Sequence, residues 1–291
     1  MRRTFKSILF LASLCCIQNL GFSQIGLGLD SLKDYSYLLI EASYHPRSLT
    51  DIPTVDNISV EGFGTGFFIK RQNRIFLVTA YHIPTQCDIY AGIKKDSKSD
   101  LLLLRFYDSL GGINFWYIST AEYKKLPAVW FYEQPDVIII EVTDQLKNTQ
   151  LKTIDNILFQ KPKKNKLRQK AEKSVVSFGF PETDQKLYSN QHDYIWNIKP
   201  STYKGRITSD SSFADPLFIE KDTAKAYLIT TPYQIPGVSG CPVFSFYKNK
   251  KIEWIEFSGV QSGSSLILNS ASIVDKKELF KRLPQEPIII K

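Results

Sequence analysis

Three side chains in this sequence have the types and setting for acyl transfer: Ser239, His82 and Asp136. Ser239 lies in Ile235-Pro236-Gly237-Val238-Ser239-Gly240-Cys241-Pro242-Val243-Phe244, a glycine-flanked serine just ahead of an apolar, strand-like run. An acyl-transfer nucleophile needs a hydroxyl on a tight turn, with neighbouring backbone N–H groups free to hold an oxyanion. Gly237, lacking a Cβ, can turn its N–H towards the point that the N–H of Ser239 also addresses. Gly, Ser and Pro are equally the residues of an ordinary turn between strands. The catalytic reading therefore depends on a base and an orienting acid elsewhere.

Ile75-Phe76-Leu77-Val78-Thr79-Ala80-Tyr81-His82 is an apolar strand that ends on a histidine. A general base has to be held on rigid structure with its ring reaching into a cleft, and a strand end supplies both. The strand Gly64-Thr65-Gly66-Phe67-Phe68-Ile69 and the turn at Arg71–Arg74 complete a hairpin that braces it. Asp136 stands just before the buried run Val137-Ile138-Ile139-Ile140. A carboxylate at such a border is costly to bury without a partner, and an imidazole N–H is a suitable one. A turn cap after Pro135 is an equally good use of Asp136 taken alone, and Glu141, Asp100 and Asp108 are further candidate acids.

The elements that must position these groups read as strands. Tyr35–Ala42, Gly64–Lys70, Arg74–Thr79, Asp100–Tyr107, Gly112–Tyr117 and Asp136–Val142 form a first set, short and bounded by turn residues. Ser174–Phe178, Tyr203–Thr208, Ala226–Thr230, Pro242–Tyr247, Glu253–Gln261 and Ser265–Asn269 form a second. Helical periodicity is convincing only over 275–283, stopped by Pro284. The expected fold is all-β: two packed six-stranded antiparallel barrels and a short C-terminal helix. Residues 24–160 would form the first barrel, with Ser43–Gly62 as a long loop after its first strand. The basic stretch 161–173 would be a solvated linker, and 174–291 the second barrel and helix.

Arg2, Arg3 and Lys6 precede the apolar run 8–17, and Gly21-Phe22-Ser23 offers small residues ahead of Gln24. That layout predicts a signal peptide over 1–23 and an exported, periplasmic or secreted chain without stable membrane association after its removal. Its loss lowers the formal charge from +8 to +5 over 268 residues. That balance is mild and carries no basic stripe, which speaks against nucleic acid as a partner. Three histidines in the whole chain, with no paired ligand spacing, give no reason to expect a metal, and no cofactor motif is present. After cleavage only Cys87 and Cys241 remain; the expectation is two separate thiols rather than a disulfide.

Gly64-Thr65-Gly66-Phe67, Val78-Thr79-Ala80-Tyr81-His82, Asp136-Val137-Ile138-Ile139 and Gly237-Val238-Ser239-Gly240-Cys241-Pro242, in that order, resemble the trypsin-like (chymotrypsin-fold) serine proteases of the bacterial exported type. The order His, Asp, Ser, with intervals of 54 and 103 residues, matches that family. Val175-Val176-Ser177-Phe178-Gly179-Phe180-Pro181 and Lys204-Gly205-Arg206-Ile207-Thr208 are similar to the opening strands of its second barrel. Phe257-Ser258-Gly259-Val260-Gln261-Ser262-Gly263 is similar to the strand lining its substrate cleft. The resemblance implies a serine endopeptidase in which His82 is the general base, Asp136 its orienter and Ser239 the nucleophile. The N–H groups of Gly237 and Ser239 would form the oxyanion hole.

Four departures stand out: Cys241 where glycine is common, Val238 for the usual Asp or Asn, Tyr81 for a small residue, and unfamiliar cysteine positions. None removes a catalytic atom. Tyr233, Ser262 and Ser264 are candidates for the substrate pocket, and Thr231–Val238 contains no acid to favour Lys or Arg before the cut. The expected partner is a protein or peptide substrate; oligomeric state is not legible. A catalytically silent binding protein on the same fold and an esterase-type acyl hydrolase on the same site remain as alternatives.

Overall fold

The computed structural model describes residues 29–283, apart from 49, 86, 89–92, 95–99, 108–109, 120–128, 133–135, 148, 156–171, 183–189, 214–225, 234, 250–251 and 266–269. The predicted signal peptide and nearly all of the basic stretch 161–173 lie outside the described residues.

Among the described residues the first half has ten strands: β1 (Tyr37–Tyr44), β2 (Ile58–Arg71), β3 (Arg74–Ala80), β4 (Cys87–Asp88), β5 (Ile93–Lys94), β6 (Leu101–Tyr107), β7 (Ile113–Ser119), β8 (Val129–Tyr132), β9 (Val137–Glu141) and β10 (Thr153–Ile154). Seven of them run β7-β6-β1-β2-β3-β9-β8 in one sheet; β10 joins β2 in parallel, and β4 pairs with β5. The β2–β3 hairpin is closed by Gln72 and Asn73, both at positive φ (50° and 63°), as a two-residue hairpin turn requires.

The second half is a closed barrel, β11-β12-β13-β16-β15-β14. Its strands are β11 (Glu172–Gly179), β12 (Ser201–Thr208), β13 (Tyr227–Thr231), β14 (Pro242–Asn249), β15 (Ile252–Ser265) and β16 (Ser270–Asp275). The all-β, two-part architecture expected from the sequence is the one the chain adopts. The second part closes with six strands. In the first, no pairing joins β7 to β8 among the described residues.

The apolar runs are continuous because the central strands are buried on both faces. Phe67, Ile69, Phe76, Val78, Val137 and Ile139 pack against Phe178, Phe244, Phe257 and Leu279 of the second half. Phe68, Leu77, Ile138 and Ile140, one residue out of phase, pack with Leu39, Leu102 and Leu104 inside the first sheet. Rings of Phe67 and Phe257 meet at 5.4 Å across the join. The C-terminal helix Lys276–Arg282, capped by the Asp275 side chain, covers this seam as its sequence predicts. Arg71 donates to the carbonyls of Phe280 and Leu283, tying the helix to the β2–β3 hairpin.

The first half adds β4, β5, β8 and β10, the last of them parallel, to the six strands expected there, and three further elements differ from the sequence reading. The loop expected over Ser43–Gly62 is shorter, because β1 continues to Tyr44 and β2 starts at Ile58, with those two residues paired. Polar Ser59 and Glu61 alternating with Ile58 and Val60 mask this part of the strand as loop. The last strand is 270–275 rather than 265–269, since β15 runs on to Ser265. A helix at Gln191–Asn197 is also present, placing Tyr194 and Ile195 against Leu38, Ile40 and Leu103. Buried Arg105 donates to the carbonyls of Ile195 and Ile198 at 2.6 Å each, satisfying acceptors that the end of this helix leaves open.

Candidate active site

β3 and β9 lie side by side, with Ala80 opposite Val137, so their ends bring residues 81–82 next to Asp136. His82 opens the short helix His82–Thr85 that follows β3. The Tyr81 N–H donates to the Asp136 carbonyl at 3.2 Å. The carboxylate then grips His82 twice. Oδ1 accepts the backbone N–H at 3.0 Å, and Oδ2 meets ring Nδ1 at 2.9 Å. A carboxylate oxygen without a proton only accepts, so in such a contact Nδ1 is the nitrogen that donates. The Asp136 side chain is 9% exposed and that of His82 26%, so the carboxylate is sheltered and the imidazole remains reachable. Asp136 adopts φ +46°, a left-handed conformation that aspartate tolerates better than most residues.

The Ser239 turn is fixed by its backbone. Four consecutive carbonyls are occupied: Pro236 by the N–H of Glu182 (2.8 Å), Gly237 by Thr65 Oγ1 (2.9 Å), Val238 by the N–H of Cys241 (3.2 Å) and Ser239 by the N–H of Thr65 (2.9 Å). In a trans peptide the N–H points opposite to the carbonyl of its own plane. The N–H groups of Gly237 and Ser239 share planes with the carbonyls of Pro236 and Val238, so both are directed away from those anchors. Neither donates a hydrogen bond among the described residues.

Gly237 has φ +92°, and a Cβ there would stand 2.3 Å from the Phe180 carbonyl oxygen. Gly240 has φ +84°, and its Cβ would stand 2.1 Å from the Thr65 carbonyl oxygen and 2.8 Å from the Ala80 nitrogen. Only glycine fits either place. The second contact presses the serine turn onto the end of β3, two residues before His82. Ser239 is half-buried on this turn.

Behind the turn, the Gly240 N–H donates to the Gln261 carbonyl (2.8 Å) and the Gln261 N–H to the Cys241 carbonyl (3.0 Å). Cys241 is a free, fully buried thiol donating to Gln261 Oε1 at 3.2 Å. Burial is the main cause that pushes its pKa up to about 12. The Cys87 side chain lies outside the described residues. Glu141, another acid considered, is instead bound to Arg74 at the far end of β9, at 2.8 and 2.5 Å. The Asp100 carboxylate accepts from the Tyr44 N–H, and Asp108 lies outside the described residues.

Of the pocket candidates, Tyr233 is 71% exposed shortly before the turn. Ser262 is buried and donates to the Ser272 carbonyl at 3.3 Å, and the backbone of Ser264 pairs with Ala271. A separate cavity of about 690 Å³ is lined by Ser36, Tyr37, Arg105, Lys152, Phe180 and Lys199, and by none of His82, Asp136 or Ser239. Sequence reasoning missed Thr65, which touches the turn at two points. The available signal was a small polar residue held between Gly64 and Gly66 in an otherwise apolar strand.

No family model matches the sequence, and no curated protein matches it. Among solved structures, the chain is similar to the NSP4 proteinase from Equine Arteritis Virus, at 11% identity and a TM-score of 0.37, over 84% of this chain and 73% of that one. It is also similar to the thermostable serine protease AL20 from an extremophilic microorganism, at 12% identity and a TM-score of 0.44, over 86% of this chain and 95% of the other.

Proposed function

We propose that the chain is an exported serine endopeptidase working through an acyl-enzyme. The observation that supports this reading is the double grip of Asp136 on His82, at the end of the strand against which the Ser239 turn packs. As Ser239 Oγ bonds to a peptide carbonyl carbon, its proton passes to His82 Nε2. The carbonyl oxygen takes up the negative charge, and the N–H groups of Gly237 and Ser239 receive it. Collapse breaks the C–N bond while Nε2 returns the proton to the leaving amine. Water repeats the sequence on the ester, with His82 again as base, and frees Ser239.

The Asp136 carboxylate stabilises the imidazolium and fixes its tautomer. With no acid in Thr231–Val238, the residue before the cut is proposed to be apolar or small. The test is cleavage of an unbiased peptide library by the protein starting at Gln24, beside a simple ester and with Ser239→Ala as control. Peptide cleavage lost in the control supports an endopeptidase. Ester turnover without peptide cleavage would point to an acyl hydrolase, and inertness towards both to a binding protein.

A further inference from the structure

We infer that Thr65 is the positioning residue for the oxyanion-binding turn; this rests on the catalytic reading above and adds to it the part that holds Gly237 in register. Thr65 belongs to the first sheet, is completely buried, and faces a turn more than 170 residues away in sequence. Its hydroxyl donates to the Gly237 carbonyl at 2.9 Å and accepts from the Phe180 N–H at 3.0 Å. Its backbone N–H donates to the Ser239 carbonyl at 2.9 Å. A hydroxyl is a donor and an acceptor at once, and this position uses both capacities. Valine has the same shape and neither function. Serine has both and lacks only a methyl.

The consequence for the turn is specific. Thr65 takes the carbonyls of Gly237 and Ser239, the alternate planes to those that carry the two oxyanion-binding N–H groups. Gly237 at φ +92° is thereby held from both sides: Glu182 N–H fixes the plane before it, and Thr65 Oγ1 the plane after it. With the second tie gone, the Gly237–Val238 plane can rotate. A glycine offers little steric resistance to that rotation. Phe180, which shares the Thr65 hydroxyl, also supplies the carbonyl that a Gly237 Cβ would strike, so one hydroxyl sets the spacing of both walls around the glycine. The carbonyl of Thr65 accepts from Thr79 Oγ1 at 2.7 Å, anchoring the clamp to the strand that leads to His82.

The test compares Thr65→Val, Thr65→Ser and Thr65→Ala in the chain from Gln24. The rate of phosphonylation by a fluorophosphonate is resolved into its maximal rate and its half-saturating concentration. Thr65→Val is expected to lower the maximal rate about 10²-fold, the scale of a misplaced catalytic group, with half-saturation unchanged. Thr65→Ser is expected to restore most of the rate. If Thr65→Val does not fold, the Ser and Ala variants carry the test, since both lack the methyl and only alanine lacks the hydroxyl. Equal rates in that pair, or an undiminished rate in Thr65→Val, would overturn the inference. Amide hydrogen exchange over 237–241 supplies a readout independent of chemistry. It is expected to quicken in Thr65→Val and Thr65→Ala but not in Thr65→Ser, and unchanged exchange would also overturn it. A wild-type protein that is not labelled at all would defeat the catalytic reading, while the exchange measurement still decides the clamp.

Discussion

The two halves of the candidate site are held by different means. On the His82 side a single carboxylate does the holding: Asp136 binds ring and backbone of the histidine through separate oxygens, at the adjoining ends of β3 and β9. On the Ser239 side, among the described residues, no side chain of the turn itself is engaged in this way; main-chain carbonyls are tied by Glu182, Thr65 and Cys241, and two glycines admit backbone close against backbone. One half thus depends on a charged side chain, the other on the placement of backbone planes, to which the neutral Thr65 hydroxyl contributes. The base must present one nitrogen with the correct protonation, which needs a charge. The proposed oxyanion-binding groups are backbone N–H donors, which need fixed planes.

The sharpest way to break the comparison is Asp136→Asn. The amide keeps an acceptor for the His82 backbone N–H but can offer an N–H to Nδ1, favouring the wrong tautomer. We expect kcat to fall about 10⁴-fold with the fold retained, checked by steady-state kinetics and circular dichroism. Gly237→Ala attacks the other half through shape. Its Cβ would meet the Phe180 carbonyl oxygen at 2.3 Å at a positive φ, so activity should drop roughly 10²–10³-fold together with a lowered Tm.

Arg74→Met tests whether stability and chemistry separate along the same strand pair. Arg74 and Glu141 close the opposite ends of β3 and β9, their side chains 11% and 12% exposed. The seven residues of β3 span about 20 Å, so the site should be untouched. Stability should fall by about 1–3 kcal/mol in urea unfolding, with kcat/KM unchanged. The smallest effect is expected at Cys241. A thiol whose pKa is pushed up to about 12 remains protonated at pH 8, so iodoacetamide should leave Cys241 unmodified in the native protein and modify it fully in denaturant, read by peptide mass mapping of that residue.

Much of this was legible because chemistry and periodicity agree over short stretches. Val137–Ile140 reads as a buried strand because both its faces are covered, whereas Asp136 alone reads equally as a turn cap and stands out only through the order His82, Asp136, Ser239. Asp275 capping 276–282 announces the last helix in the same local way. What was not legible depends on contacts distant in sequence. The helix Gln191–Asn197 is stabilised by buried Arg105, some 90 residues away, which no local periodicity registers. The start of β2 looks polar because only one face of that segment is covered. Thr65 looks like a strand residue between glycines until the Ser239 turn is folded against it.

The most direct measurement is labelling of the protein from Gln24 with a fluorophosphonate, with mass-spectrometric assignment of the modified residue. The account predicts one phosphonate per chain, on Ser239, absent in Ser239→Ala and reduced by at least about 10³-fold in rate in His82→Ala. A folded wild-type protein that takes up no label, or labelling that survives in Ser239→Ala, would contradict it.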